Sequence, residues 1–260
     1  MGDVIYTPLI EDMTWSYSRV SCFDDCRYRW FLKYIGHIDE EPQFYASYGS
    51  FMHKLLEKYY KKELSKDELR IEFLTKFSTE VQGERPPGNI VGNYISKGLN
   101  YLTNFTDFPY ETVGVEKKID FDIDGIPFTA IIDYIGKSDD GYVIIDNKSR
   151  ELKPRSKNGK RRKSDDLIDE MLKQLYVYSA AIQQTYGEYP KKLCFNCFKN
   201  MVFIEEQFNK DIYDETIAWV KKNIEDIKKS ESEDFYPNVE FFSCRYLCGV
   251  SDECCYWSDC

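Results

Sequence analysis

Phe128-Thr129-Ala130-Ile131-Ile132-Asp133-Tyr134 and Val143-Ile144-Ile145-Asp146-Asn147-Lys148 are the two stretches that decide the fold. Each is an apolar run that ends on a carboxylate. Asp139-Asp140-Gly141 between them is a turn signal, so they read as adjacent strands of a hairpin. The second run is apolar on both faces, as a central strand is. Asp146 and Lys148 are two apart and leave the same face of that strand. Alone, such a pair fits a strand end that surfaces into water. The partner strand changes the reading, because it brings Asp133 towards Asp146, and close carboxylates repel unless a cation lies between them. Oxygen ligation suits Mg²⁺ or Mn²⁺. A lysine beside such an ion can orient water and steady charge on a phosphate, which is the chemistry of phosphodiester hydrolysis.

Outward from this hairpin, Val113, Val115, Ile119, Phe121 and Ile123 alternate as a preceding strand, turned by Asp124-Gly125. Upstream the period is helical. Helices are expected over Trp15 to Ile35, over Gly49 to Leu64, after the capping pair Ser65 and Glu68, and over Asn89 to Phe105. Downstream come a helix from Asp166 to Tyr186, a strand pair from Lys192 to Phe198 and Met201 to Gln207, and a helix from Asp211 to Lys228. The predicted fold class is α/β: a central mixed sheet flanked by helices, with a helical N-terminal front and a Cys-rich C-terminal tail. A single domain over 1–260 is expected, with the front at 15–110, the α/β core at 111–230 and the tail at 240–260.

The chain resembles the PD-(D/E)XK nuclease superfamily, and within it the RecB-like exonucleases, which include the AddB nuclease domain and the CRISPR-associated Cas-four family. The resemblance rests on Asp133, Asp146-x-Lys148, Gly49-x-x-x-His53 and Gln174-x-x-x-Tyr178 in that family's order, and on the opening helix around Cys26-Arg27, where the family has proline after the cysteine. It implies a restriction-endonuclease-like core. Metal ligands would be His53, Asp133, Asp146 and the backbone carbonyl of Asn147. Lys148 would position the attacking water, and Gln174 and Tyr178 would pack over the site. Glu116 is either an accessory acid or part of a solvated strand edge. Read singly, His53 would be an ordinary helix residue; the other motifs make it a ligand candidate. His37 reads as surface.

The resemblance also implies a [4Fe–4S] cluster on one early and three late cysteines: Cys26, Cys244, Cys248 and Cys254, with Cys255 and Cys260 as alternates. The first gap in the tail is three residues where the family has two, so Zn²⁺ or no centre at all remains open. Cys194 and Cys197 read as strand core, and Cys22 as a spare. The loop after Lys148 carries Arg150, Lys153, Arg155, Lys157, Lys160, Arg161, Arg162 and Lys163 against one acid, Glu151. Such runs are commonly just solvated, but this placement favours contact with a DNA backbone. Tyr176 and Tyr134 could stack on bases; core is the better reading.

The composition sets limits. The chain has 260 residues with a net charge of −10, which argues against a protein that coats nucleic acid and not against one that grips it in a local groove. No apolar run is long enough for a membrane span, and the start has no signal-peptide pattern, so a cytoplasmic protein without a membrane partner is expected. Nine cysteines in such a chain suit a metal better than disulfides. There is no helicase P-loop, so any helicase, recombination or CRISPR partner would be a separate chain. The function expected is a metal-dependent deoxyribonuclease, an exonuclease on single-stranded ends acting in replication, recombination, repair or CRISPR-type processing. The alternatives are an endonuclease of the same core, or a non-catalytic DNA-binding or partner subunit that retains the fold.

Overall fold

A computed structural model of the chain describes residues 6–156 and 161–258. The helical front comprises α1 Thr7–Glu11, α2 Tyr17–Asp25, α3 Arg27–Tyr34, α4 Phe44–Tyr60, α5 Lys66–Glu80 and α6 Ile90–Asn104. There follow β1 Glu111–Ile123, β2 Ile126–Ser138, β3 Gly141–Lys148, α7 Lys163–Tyr186, β4 Lys192–Cys197, β5 Val202–Gln207 and α8 Lys210–Lys229. Two short helices, α9 Phe241–Tyr246 and α10 Cys255–Ser258, lie in the tail.

The five strands form one sheet in chain order. All neighbours are antiparallel except β3 and β4, which run parallel and are bridged by α7. The mixed sheet flanked by helices is the one the alternating apolar runs predict. Asp124 and Gly125 both have positive φ, 51° and 85°, as a type I′ hairpin turn needs. Val143, Ile144 and Ile145 are completely buried, each contributing roughly 1.5–3 kcal/mol of burial.

One face of the sheet carries Ile144, Leu193 and Phe195 against α2, α7 and α8. The opposite face carries Tyr134, Val143, Ile145 and Cys194. The front keeps its own ring-rich core of Phe51, Leu55, Phe73 and Leu102, which Phe198 joins from the end of β4. α6 approaches α4 and α5 closely at Gly98, where a Cβ would meet Phe73 Cζ at 2.7 Å and Tyr48 Oη at 2.8 Å. Among the described residues no helix is long and apolar enough to cross a membrane.

The sequence reading fails at one helix. Trp15 to Ile35 is two helices, broken at Cys26, whose backbone is extended (φ −160°, ψ 107°). Cys26 Sγ then caps α3 by accepting from the Arg29 N–H at 3.5 Å. Arg27 takes the first helical position, which tolerates proline well. Its guanidinium lies 4.6 Å from the Phe23 ring centre and 5.0 Å from that of Tyr236. α4 starts at Phe44 rather than Gly49, because Phe44 and Tyr48 continue its buried stripe upstream. α7 starts at Lys163 rather than Asp166, because the Asp165 carboxylate accepts from the Arg162 N–H at 2.8 Å and caps an extra turn. The Ser65–Glu68 capping box is present as read.

Candidate active site and cysteine centre

The site lies at the carboxyl end of β3, where the hairpin with β2 opens. Their pairing stops at Tyr134↔Ile145, whereas β3 stays paired with β4 as far as Lys148↔Cys197. Past that stop the Asn147 N–H donates to Asp133 Oδ2 at 2.7 Å instead of to a backbone carbonyl. Asp133 is thereby pinned beside the catalytic strand.

On β1 the register shifts between Thr112 and Gly114. This bulge re-aims the strand, so Glu116 falls across from Asp133, between the pairs Val115↔Tyr134 and Lys117↔Ile132. Glu116 has a left-handed backbone, φ 46°, a conformation that costs a non-glycine residue about 1 kcal/mol or more and often marks a functional position. Strand parity alone had left its role open.

His53 reaches in from α4. Its Nδ1 lies 3.3 Å from Asp133 Oδ2 and 3.8 Å from Glu116 Oε1. Its Nε2 lies 2.8 Å from the Asn147 carbonyl oxygen, so that expected ligand is already engaged. Donor atoms of His53, Glu116 and Asp133 all fall within 4.8 Å of one another, a spacing that one divalent ion can span. Burial opposes protonation of His53, but Asp133 and then Glu116 outweigh it and draw its pKa up to about 10. A divalent ion among these donors would relieve the same carboxylate repulsion.

Asp146 is buried, and burial pushes its pKa up to about 6; Lys148 opposes that rise and Asp133 adds to it. Its Oδ2 stands 2.6 Å from Lys148 Nζ but receives no hydrogen bond of good geometry. A buried carboxylate oxygen satisfied by proximity alone is chemically suited to a cation. Lys148 Nζ also donates to Gln174 Oε1 at 2.8 Å, and Gln174 Nε2 to Tyr178 Oη at 2.8 Å. The i, i+4 pair on α7 therefore clamps the lysine. His53, Glu116, Asp133, Asp146, Asn147, Lys148 and Gln174 line one open cleft of about 510 Å³. His37 is exposed, as expected.

The basic loop is less free than its composition suggests. Arg155 donates at 2.6 Å to both Glu206 and Asp169, and Arg161 at 2.6 Å to Asp166 and Asp169. Arg162 is paired with Asp165 at 3.2 Å. Arg150, Lys153 and Lys163 are exposed; Lys157 and Lys160 lie outside the described residues. Tyr176 and Tyr134 are core, with 1% and 2% exposure. The rings at the cleft mouth are others. Tyr45 lines the cleft, with the half-exposed Phe242 ring 5.8 Å and the Tyr246 ring 6.3 Å from it. The sequence reading missed them because the tail had to fold back onto α4 to bring them there.

Cys26, Cys244, Cys248 and Cys254 line one small hollow, walled by Leu32, Val250 and Trp257. The tail is tied to the α2–α3 corner: the Tyr28 N–H donates to the Tyr236 carbonyl at 3.2 Å, and the Asn238 N–H to Cys26 Sγ at 3.4 Å. Cys255 points elsewhere, its Sγ 3.4 Å from Tyr28 Oη, and Cys260 lies outside the described residues. Cys194 and Cys197 are buried, as read, and so is Cys22.

A mixed five-stranded sheet that gathers two aspartates, a glutamate, a histidine and a lysine at one strand end defines an α/β nuclease core. The chain belongs to the PD-(D/E)XK nuclease superfamily, whose family profile matches residues 14–255. Among solved structures it is similar to that of a candidate exonuclease from Eubacterium rectale, at 14% identity over 91% of this chain and 90% of that one, with a TM-score of 0.50. At that identity the likeness shows the fold alone. No curated protein matches the chain.

Proposed function

We propose that the protein is a Mg²⁺- or Mn²⁺-dependent deoxyribonuclease that trims single-stranded ends. The observation that carries this reading is the convergence of His53, Glu116 and Asp133 beside the Asp146–Lys148 pair in one open cleft. A bound divalent ion would supply Lewis acidity and lower the pKa of a coordinated water. The donors that would hold it are His53 Nδ1 and the carboxylates of Glu116, Asp133 and Asp146. Lys148, steadied by Gln174 and Tyr178, would orient the attacking water and balance charge on the phosphate. Preference for unpaired ends is drawn from Tyr45 in the cleft wall and the exposed Phe242 ring beside it, because flat rings bind splayed bases of any sequence. End-labelled linear and circular single-stranded DNA, incubated with Mn²⁺, test this. Label released as mononucleotides, with circles intact, is the expected result. Cut circles would make the enzyme an endonuclease, and Mn²⁺-loaded protein that cuts neither would make it a non-catalytic DNA-binding subunit.

The four thiols are proposed to hold a [4Fe–4S] cluster. Among the described residues no three of these sulfurs lie within 4.8 Å of one another. Tetrahedral zinc, with Zn–S of about 2.3 Å, would draw them to about 3.8 Å. Against this, the hollow they enclose is only about 20 Å³, which suits a single ion better than a cluster. Zinc is therefore the second reading, and iron content decides between them.

A further inference from the structure

Alternation along β3 turns the Asn147 side chain away from Asp146 and Lys148, onto the sheet face covered by the helical front. There it meets Asn196, its neighbour in the parallel β3–β4 ladder. Asn196 Nδ2 donates to Asn147 Oδ1 at 2.7 Å and to Tyr101 Oη, from α6, at 2.7 Å. Both amide protons are thus used. All three residues are nearly sealed from solvent: Tyr101 at 3%, Asn147 at 4% and Asn196 at 6% exposure.

A polar triad in an otherwise ring-and-aliphatic core is costly to desolvate, and hydrocarbon side chains of the same shape would be about as stable. Its position gives it a use. The Asn147 backbone is the hinge of the site: its N–H holds the Asp133 carboxylate, and its carbonyl meets His53. β2 has already let go of β3 at this point, so on that side no strand ladder holds it. On the other side the ladder to β4 runs on to Lys148↔Cys197, and the amide–amide bond to Asn196, itself bonded to the Tyr101 hydroxyl, adds a side-chain restraint.

We propose that Asn196 and Tyr101 are positioning residues that, through the Asn147 side chain, steady the Asn147 backbone and so set the spacing of Asp133 and His53 for the metal. The inference rests on the metal-dependent reading of the site. It involves no new ligand: the triad touches no proposed metal donor except through Asn147.

The test separates positioning from bulk stability. The triple variant Asn147→Leu, Asn196→Leu, Tyr101→Phe removes the buried polar atoms together and leaves every proposed donor atom, and the Asn147 carbonyl, in place. Melting in EDTA and Mn²⁺ affinity by titration calorimetry without DNA are both measured. The expected result is a melting temperature within a few degrees of wild type, with Mn²⁺ bound roughly 10- to 100-fold more weakly, the range usual for loss of outer-layer support. Should the triple variant not fold, Tyr101→Phe alone reads the same effect at smaller scale. Wild-type Mn²⁺ affinity in whichever variant folds would overturn the proposal. Wild-type protein that binds Mn²⁺ but cuts no DNA would remove the nuclease reading and leave the tether standing; wild-type protein that takes up no Mn²⁺ would overturn both.

Discussion

At the scale of single residues, the proposed site gives Lys148 and Glu116 different tasks. Lys148 touches Asp146 and Gln174 but none of the His53–Glu116–Asp133 group at hydrogen-bond distance. Lys148→Ala should therefore lose at least about 100-fold in cleavage, the order expected for a positioned proton-handling group. The rise in melting temperature produced by Mn²⁺ should survive. Loss of that rise would make Lys148 part of the metal site. Glu116→Gln makes the opposite prediction, with Mn²⁺ affinity falling about tenfold or more while the metal-free fold is retained; unchanged affinity would return Glu116 to a strand edge. Asp146 gives a signed pH effect. Its folded-state pKa is raised from 3.8 to about 6 by burial, so the folded protein binds a proton there more tightly than the unfolded chain does. In EDTA the wild type should lose this contribution as the pH rises from about 4 to about 6. Asp146→Asn should not, and near neutrality should melt no lower than wild type.

At the scale of elements, the loop before α7 and the short α9 would, on the proposed function, divide the work of meeting DNA. Arg155 and Arg161 join the start of α7 to β5 and to its own acids. Arg155→Ala should lower the melting temperature and barely change the salt dependence of DNA binding. Neutralising Arg150, Lys153 and Lys163 should flatten the log–log salt slope by roughly 0.7–0.9 for each phosphate that is left without its cation. An unchanged slope would make the loop a solvated insertion. Replacing Tyr45 and Phe242 by alanine should weaken single-stranded binding by about tenfold per ring, from stacking worth roughly 1–3 kcal/mol per base. Blunt duplex binding should change far less. Equal losses on both substrates would count against the stacking role.

At the scale of the whole molecule, the proposed cysteine centre would close the chain on itself. Cys26 and the tail thiols line the same hollow, so one inorganic centre there would tie the start of the front to the end of the chain. Closing so long a loop is entropically costly, and metal–thiolate bonds would offset that cost. Anaerobically purified protein should be brown if iron is held. Cys248→Ser should bleach it and loosen the tail, taking Phe242 and Tyr246 away from Tyr45 and with them part of the single-stranded affinity. Cys194→Ser, in the sheet core, should leave the colour unchanged. Colourless protein with one zinc per chain would select the second reading.

The sequence by itself determined the sheet, because apolar runs that end on Asp133 and on Asp146-x-Lys148, with a turn signal between them, are a local property of the strands. It determined the α7 face as well, because Gln174 and Tyr178 are one turn apart on one helix. The resemblance also pointed to four cysteines that line one hollow. Tertiary structure alone decided the rest. The break at Cys26 depends on a tail more than 200 residues away that packs against it. The turn of Glu116 into the site depends on a bulge, which shifts strand parity without leaving a mark in the apolar pattern. The pairing of the loop arginines depends on acids from β5 and α7. Asn196 was legible only as one polar residue in the run Leu193-Cys194-Phe195-Asn196-Cys197-Phe198. Its partners come from β3 and α6, and no period along a single strand encodes which side chain of another element will stand opposite it.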